Sequence, residues 1–275
     1  MNGRRAIVGL CMLCALLVSA FAAQSASAIT GTTAFTCSKS ADVKDRFGEH
    51  CLATGTPKEY GHIPITQDVT TELKVSNEKS ANETKECSEQ RLKTTIGGVA
   101  TELTSCLVEG EGSPWIRNRL DASGEHYTES HFTLTYTNVK VAKPAGVGCV
   151  INTDNADKTV GTAGIVHTEP LKGTTLKQGD SVKLEPTTGT TFANFHITGC
   201  TGAFAAINAT YSVTGSITCK PDGATINCNH NEITTQNTLK LNGSVKAGYE
   251  GSTTLSGRLD SSQAYTPLST TTVTT

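Results

Sequence analysis

The chain has 275 residues, 23 Lys+Arg against 25 Asp+Glu, and aromatic side chains at only 5% of positions. A slightly acidic chain with no basic run and few stacking rings is a poor partner for nucleic acid or an anionic membrane surface. Its length suits one large or two ordinary domains, each able to bury a core.

The first residues read as an export signal. Arg4 and Arg5 make a positive start, Ala6 to Ala23 is apolar and uncharged, and Ala26-Ser27-Ala28 has the small-x-small pattern of a cleavage site. Residues 1–28 are therefore expected to be removed, so that the mature chain starts at Ile29. Losing Arg4 and Arg5 leaves 21 basic against 25 acidic residues, a net charge of −4. The competing reading is an uncleaved anchor, because the apolar run is near ~18 residues, the lower limit for a span. After Ala28 no second apolar run is long enough to cross a bilayer, so no membrane span is expected in the mature chain.

Cys11 and Cys14 fall inside the signal. Leu10 and Leu13 precede them, where a lipid-attachment signal needs a small residue. Eight cysteines remain: Cys37, Cys51, Cys87, Cys106, Cys149, Cys200, Cys219 and Cys228. An export signal followed by an even cysteine count points to secretion and to disulfides formed in an oxidising space. No short Cys-x-x-Cys spacing suggests a zinc site.

Along the chain, Cys37 with Cys51 closes a polar loop from Ser38 to His50. Val69 to Val75 alternates, with Val69, Thr71, Leu73 and Val75 on one face, as a half-buried strand does. Gly97-Gly98 joins two alternating arms as a two-residue hairpin, flanked by Cys87 and Cys106, which ideal register sets diagonally. Phe132, Leu134 and Tyr136 alternate, and the apolar register then shifts to Val139 and Val141, which suggests a β-bulge near Thr137-Asn138. Val141 to Gly146, with Pro144 inside, is the best linker candidate. Beyond it, Ile207, Ala209, Tyr211 and Val213 form another alternating strand. Pro221-Asp222-Gly223 and Asn242-Gly243 read as hairpin turns. The Pro221 turn does not set Cys219 opposite Cys228 by simple register, and Cys149 is left to pair with Cys200.

Threonine occupies 45 positions. Its β-branched side chain suits the solvent face of a strand. The expected class is all-β: an antiparallel β-sandwich or barrel-like architecture reinforced by disulfides. Two β-domains are expected, 29–143 and 144–275, with one continuous β-structure as the alternative.

Candidate chemistry is sparse. Glu125 to His131 is rich in polar side chains, but His126 and His131 differ by an odd number, so a strand would point them to opposite faces. The segment is expected to be a polar loop entering the strand at Phe132. Gly179-Asp180-Ser181 echoes the nucleophile start of one lipase and esterase class, but it precedes a strand-like Val182-Lys183-Leu184 with no late Asp-x-x-His. There is no Gly-x-Ser-x-Gly and no His-Glu-x-x-His. Cys228 with His230 is a Cys-His site only if Cys228 is a free thiol. His62, His167 and His196 are isolated on expected strands. Trp115 is the only tryptophan, and with Arg117 two residues on it is the candidate contact for a sugar ring or a partner surface. Asn82, Asn208 and Asn242 start glycosylation triplets.

Phe35-Thr36-Cys37 through Cys51, Leu176 to Glu185, Ile207 to Ser216, Lys246 to Gly251 and Tyr265 to Ser269 together resemble an uncharacterised family of exported, β-rich, Thr- and Gly-rich actinobacterial proteins. The resemblance implies a secreted bacterial all-β protein and carries no assigned activity or binding residue.

The expected function is that of a secreted or cell-surface, non-enzymatic β-protein with a structural or adhesive role. It has no cofactor, no metal and no catalytic set, and its partner is a cell-wall or extracellular polymer. The rival is an extracellular carbohydrate-binding module using Trp115 and Arg117. A third reading is a secreted hydrolase or metalloenzyme using His126, Glu129 and His131.

Overall fold

The computed structural model describes residues 30–39, 47–48, 58–77, 90–146, 148–154, 160–176, 181–230, 237–259 and 264–274. The signal segment 1–28, Cys51, Asn82, Cys87 and Gly179-Asp180 lie outside them. In chain order the strands are β1 (Thr30–Lys39), β2 (Tyr60–Pro64), β3 (Thr71–Ser76), β4 (Gln90–Ile96), β5 (Val99–Ser105), β6 (Leu107–Leu120), β7 (His126–Thr137), β8 (Lys140–Lys143), β9 (Val150–Asp154) and β10 (Val160–Ala163). Then follow β11 (Val166–His167), β12 (Leu171–Thr175), β13 (Val182–Pro186), β14 (Thr191–Thr198), β15 (Ala209–Thr214), β16 (Ile217–Asp222), β17 (Thr225–His230), β18 (Lys240–Leu241), β19 (Val245–Arg258) and β20 (Thr266–Thr274). A 3-10 turn at Gly202–Ile207 is the only helical element among the described residues. The chain is all-β.

Eight strands close on themselves in the order β3–β6–β7–β12–β13–β16–β17–β19 and back to β3, every neighbour antiparallel. Closure removes the unpaired edges that an open sheet exposes. The alternation seen in the sequence sorts the side chains. Leu73 and Val75 of β3, Ile116 of β6, Leu171 of β12, Val182 and Leu184 of β13 and Ile217 of β16 are buried in one contiguous core. Gly173 sits on the same inner face. A Cβ there would strike the Ser130 hydroxyl of β7 and crowd Leu184, so only glycine fits.

The outer strands form a second lobe. Pairings run β8–β5–β4–β19–β18–β15–β14–β9–β10 without a break. The sheet curls so that Leu92 and Leu103 from one end face Phe195 and Val213 from the other across a shared interior. β19 belongs to both lobes. Its first residues pair with β18 and β4, and its last pair with β3 and β20. The expected boundary at 143/144 falls within this continuous structure: the barrel takes β3, β6 and β7 from before it and five strands from after it.

A ribbon made of β20, β1 and β2 packs on the barrel. Thr32, Ala34 and Thr36 of β1 are all buried. Gly31 has φ 151° and lies so close to the backbone of His126 at the start of β7 that any side chain would collide with it. Besides the β19–β20 pairing, one side chain anchors the ribbon to the barrel. Asn118 of β6 is 2% exposed, and its Oδ1 accepts the Ala34 N–H at 2.7 Å. Its Nδ2 donates to the carbonyls of Ala34 and Ile65, both at 2.9 Å.

Several local expectations are corrected. Residues 126–131 are not a loop; β7 already starts at His126. No bulge sits at Thr137-Asn138. β7 ends there, Asn138 turns with φ 54°, and β8 departs to pair with β5. Val69 lies ahead of β3 and is 51% exposed. The Gly97-Gly98 hairpin has the expected two-residue turn, with Ile96 opposite Val99. The Asn242-Gly243 hairpin keeps Ser244 in the loop as well, with Leu241 opposite Val245.

The Pro221 turn shifts by two residues. Pro221 and Asp222 remain in β16, and Asp222 pairs with Thr225, so the turn is Gly223-Ala224. Ala224 is 3% exposed, and its carbonyl accepts the Leu255 N–H at 2.7 Å. That shift places Cys219 directly opposite Cys228, and the two are bonded across β16 and β17 with Cα atoms 4.4 Å apart. Cys149 and Cys200 are also bonded, as expected. Cys37 and Cys106 are each in a disulfide of their own.

Asn118→Ala removes all three anchoring hydrogen bonds and leaves buried backbone groups of Ala34 and Ile65 without them. At about 1–3 kcal/mol per stranded group, the variant is expected to lose about 3 kcal/mol or more in urea denaturation. Amide exchange should accelerate first at residues 32–36. A loss below about 1 kcal/mol would show that the ribbon is held by other contacts.

Candidate functional site

The barrel's outer wall carries the sequence-predicted contact residues. On β6, Ile116 and Asn118 point inward, so Trp115, Arg117 and Arg119 point outward. On β7, Thr128 and Ser130 point inward, so Glu129 and His131 point outward. The β6–β7 register sets Trp115 opposite His131 and Arg117 opposite Glu129. The Trp115 and His131 rings stack with centroids 4.2 Å apart and planes inclined by 13°. The Arg117 guanidinium lies over the indole, 4.9 Å from its centroid. Trp115 and Arg117 are thus brought together, but the indole is engaged by its own neighbours.

Glu129 is the hub. Its Oε2 accepts from Arg117 Nη2 at 2.8 Å and Nε at 3.1 Å, and from Arg119 Nη1 at 3.4 Å. Its Oε1 lies 3.2 Å from His131 Nε2. Burial alone would raise this carboxyl. Hydrogen bonds from Arg117 and His131, the Arg117 charge and the Arg119 hydrogen bond outweigh it and bring the pKa from 4.5 to about 2.

The cluster belongs to a longer pattern. Arg258 of β19 opposes Glu72 of β3, Glu72 opposes Trp115, Trp115 opposes His131, His131 opposes Lys172 of β12, and Lys172 opposes Glu185 of β13. Six residues on six adjacent strands stand in one row around the wall. Ion pairs tie the row internally. Arg258 Nε donates to Glu72 Oε2 at 2.7 Å, and Lys172 Nζ is 3.5 Å from Glu185 Oε1. Tyr265 adds a hydroxyl donated to Glu72, and its ring lies under Arg258 at 4.9 Å.

The remaining candidates are dispersed. His126 opens β7 with the inward parity of Thr128, whereas His131 faces outward, so the two do not converge. Among the described residues no group of three His, Cys, Asp or Glu is arranged to hold a metal ion. Cys228 is in its disulfide and is no thiolate. His62 on β2 is stacked between Phe35 and Phe47, at 3.6 and 4.0 Å. His167 Nδ1 is 2.7 Å from Glu111 Oε2 and 3.0 Å from Thr135 Oγ1. Carboxylate and hydroxyl share the same ring nitrogen, which is not the two-nitrogen arrangement of a proton relay. His196 Nδ1 is 2.7 Å from the Thr210 hydroxyl. The amide of Asn208 is engaged with both backbone groups of Cys200, and Asn242 Oδ1 accepts the Ser212 N–H.

One feature that the sequence did not announce is a cavity of about 80 Å³ inside the second lobe. Its wall is apolar, with Leu92, Leu103, Phe195, Val213 and Leu239 contributing. Tyr136 and Tyr249 flank it, with rings edge to face at 6.4 Å. The Tyr136 hydroxyl donates to Tyr249 Oη at 3.2 Å, the Tyr249 hydroxyl donates to Gln90 Oε1, and Gln90 Nε2 donates to the Ser252 carbonyl at 2.7 Å. Burial pushes Tyr136 up to about 12 and Tyr249 well above the ordinary phenol value.

Comparison with known protein families, curated proteins and solved structures finds no match.

The pKa of Glu129 is lowered by folding, so its contribution to stability is complete above pH 4.5 and is lost as pH falls through about 2. Glu129→Gln removes that dependence. Thermal melts should show the wild type more stable than the variant at pH 6, with the gap narrowing steadily from pH 4.5 to pH 2. A gap constant over that range would contradict the assignment.

Proposed function

We propose that this is an exported, non-enzymatic β-protein that acts outside the cytoplasm in a structural or adhesive role, of the kind implied by the actinobacterial resemblance. Its partner is a cell-wall or extracellular polymer. The observation that carries the reading is the row Arg258–Glu72–Trp115–His131–Lys172–Glu185 on the barrel wall. Five strand spacings make it about 24 Å long. A row of charged and aromatic side chains that curves around a rigid closed sheet suits a polymer with repeating polar groups that can follow the wall. It offers no cleft in which a bond would be isolated from water. Oxidised Cys149–Cys200 and Cys219–Cys228 support an extracellular setting.

The carbohydrate-module reading relies on Trp115 as a stacking platform. His131 and Arg117 already occupy positions over that ring, so a sugar would have to displace both. The adhesive reading is therefore preferred.

The oxidised chain is expected to be retained by the host's cell-wall fraction without saturable binding on a glycan array. Lys172→Glu, which removes a positive charge from the row and leaves it acidic on the two adjacent strands β12 and β13, should weaken retention by about tenfold. Saturable glycan binding abolished by Trp115→Ala would favour the module. No retention on either support would rule out both.

A further inference from the structure

The geometry points to the cavity of the second lobe as a binding site for a small, wholly apolar group. This inference is independent of the outer wall. The cavity is a consequence of a β-bulge. In β14 the register against β15 shifts between Thr191 and Ala193, so Phe192 is an extra residue. A regular strand would turn one of Phe192 and Ala193 outward, but here both are buried, at 7% and 8% exposure. The smaller of them, Ala193, lines the space that a longer side chain would fill. Bulges of this kind re-aim side chains beside functional sites.

The chemistry of the wall selects the occupant. The buried Thr104 hydroxyl on its border has no partner, which is one short of the two that a water needs, and the other polar groups there are already committed. Tyr136, Tyr249 and Gln90 pass their donors along one chain that ends on the Ser252 carbonyl. The Thr168 hydroxyl accepts the Leu134 N–H at 2.9 Å, and the Ser105 hydroxyl is engaged with the Leu107 and Thr137 carbonyls. A water molecule needs two to four polar partners to be held in such a place. The cavity therefore disfavours water and accepts a group that asks for no hydrogen bond. At about 80 Å³ it has roughly half the volume that holds a benzene ring. That is room for about two to four carbons, with Phe195, Tyr136 and Tyr249 supplying aromatic contact. Both a free short hydrocarbon and the methyl end of an acyl chain present this chemistry.

Xenon is the direct probe, applied to the oxidised full chain by 129Xe and methyl NMR. Saturable shifts are expected at the Val213 and Leu239 methyls, with a melting temperature that rises with xenon pressure. Methanol, of similar size but polar, should not displace the gas. Ala193→Leu fills the space and should abolish the shifts in a protein that still melts cooperatively. Val213→Ile, a gentler filling, should weaken binding at least threefold and decides the matter if the leucine variant does not fold. Displacement of xenon by monomeric octanoate would identify the acyl-chain source, and displacement by butane alone the free hydrocarbon. Absence of saturable shifts in the folded wild type, undiminished binding in both filled variants, or displacement by methanol would overturn the proposal.

Discussion

The side-chain amide of Asn118 does what a β-ladder does elsewhere. It offers one acceptor and two donor protons, and it satisfies backbone groups of Ala34 and Ile65 where strand pairing cannot continue. β1 has ladder partners in β20 and β2, but β2 ends at Pro64, and beyond that point Asn118 takes over on this side of β1. The same device recurs at other breaks. Asn77 Oδ1 takes the Val108 N–H, and its Nδ2 donates to the Cys106 carbonyl. Asn208 pairs with both backbone groups of Cys200 beside its disulfide, and Asn237 links Leu239 to Ala247. Asn77, Asn118 and Asn237 are buried, and they are tolerated there because their polar atoms are met.

The strands were legible because alternation is a local property. Leu73 and Val75, or Tyr211 and Val213, declare their inner face within a few residues. Register between strands is not local. The turn near Pro221 read as beginning at the proline, and two residues of error were enough to misplace Cys219 and Cys228 relative to each other. The deciding contact is the Ala224 carbonyl on the Leu255 N–H, thirty-one positions along the chain, which draws the turn toward β19. The apolar shift after Tyr136 read as a bulge because sequence shows a change of phase without its cause. The cause is a strand end at Asn138, after which β8 joins a different neighbour.

The candidate site was legible to the same depth. Trp115 and Arg117, two apart, share a face on any strand, and they meet as that spacing requires. Glu129 and His131 arrive from the next strand through a register no spacing reveals, and they turn a nominal sugar platform into a self-contained cluster. The cavity was invisible because its two sides, β4–β5 and β14–β15, lie about a hundred residues apart in the chain. The local sign was Phe192-Ala193 ahead of Phe195, where the apolar phase slips by one residue.

β19 makes its first pairs in the curled lobe and its last in the barrel, without interruption. A strand shared in this way couples two cores that could otherwise open separately. Detaching its first half exposes Ala247 and Tyr249 and pulls on the same backbone that carries Leu255 into the barrel. Local opening in one lobe therefore carries the energetic cost of loosening the other. The two lobes are thereby coupled, with β19 as the line along which that coupling is transmitted.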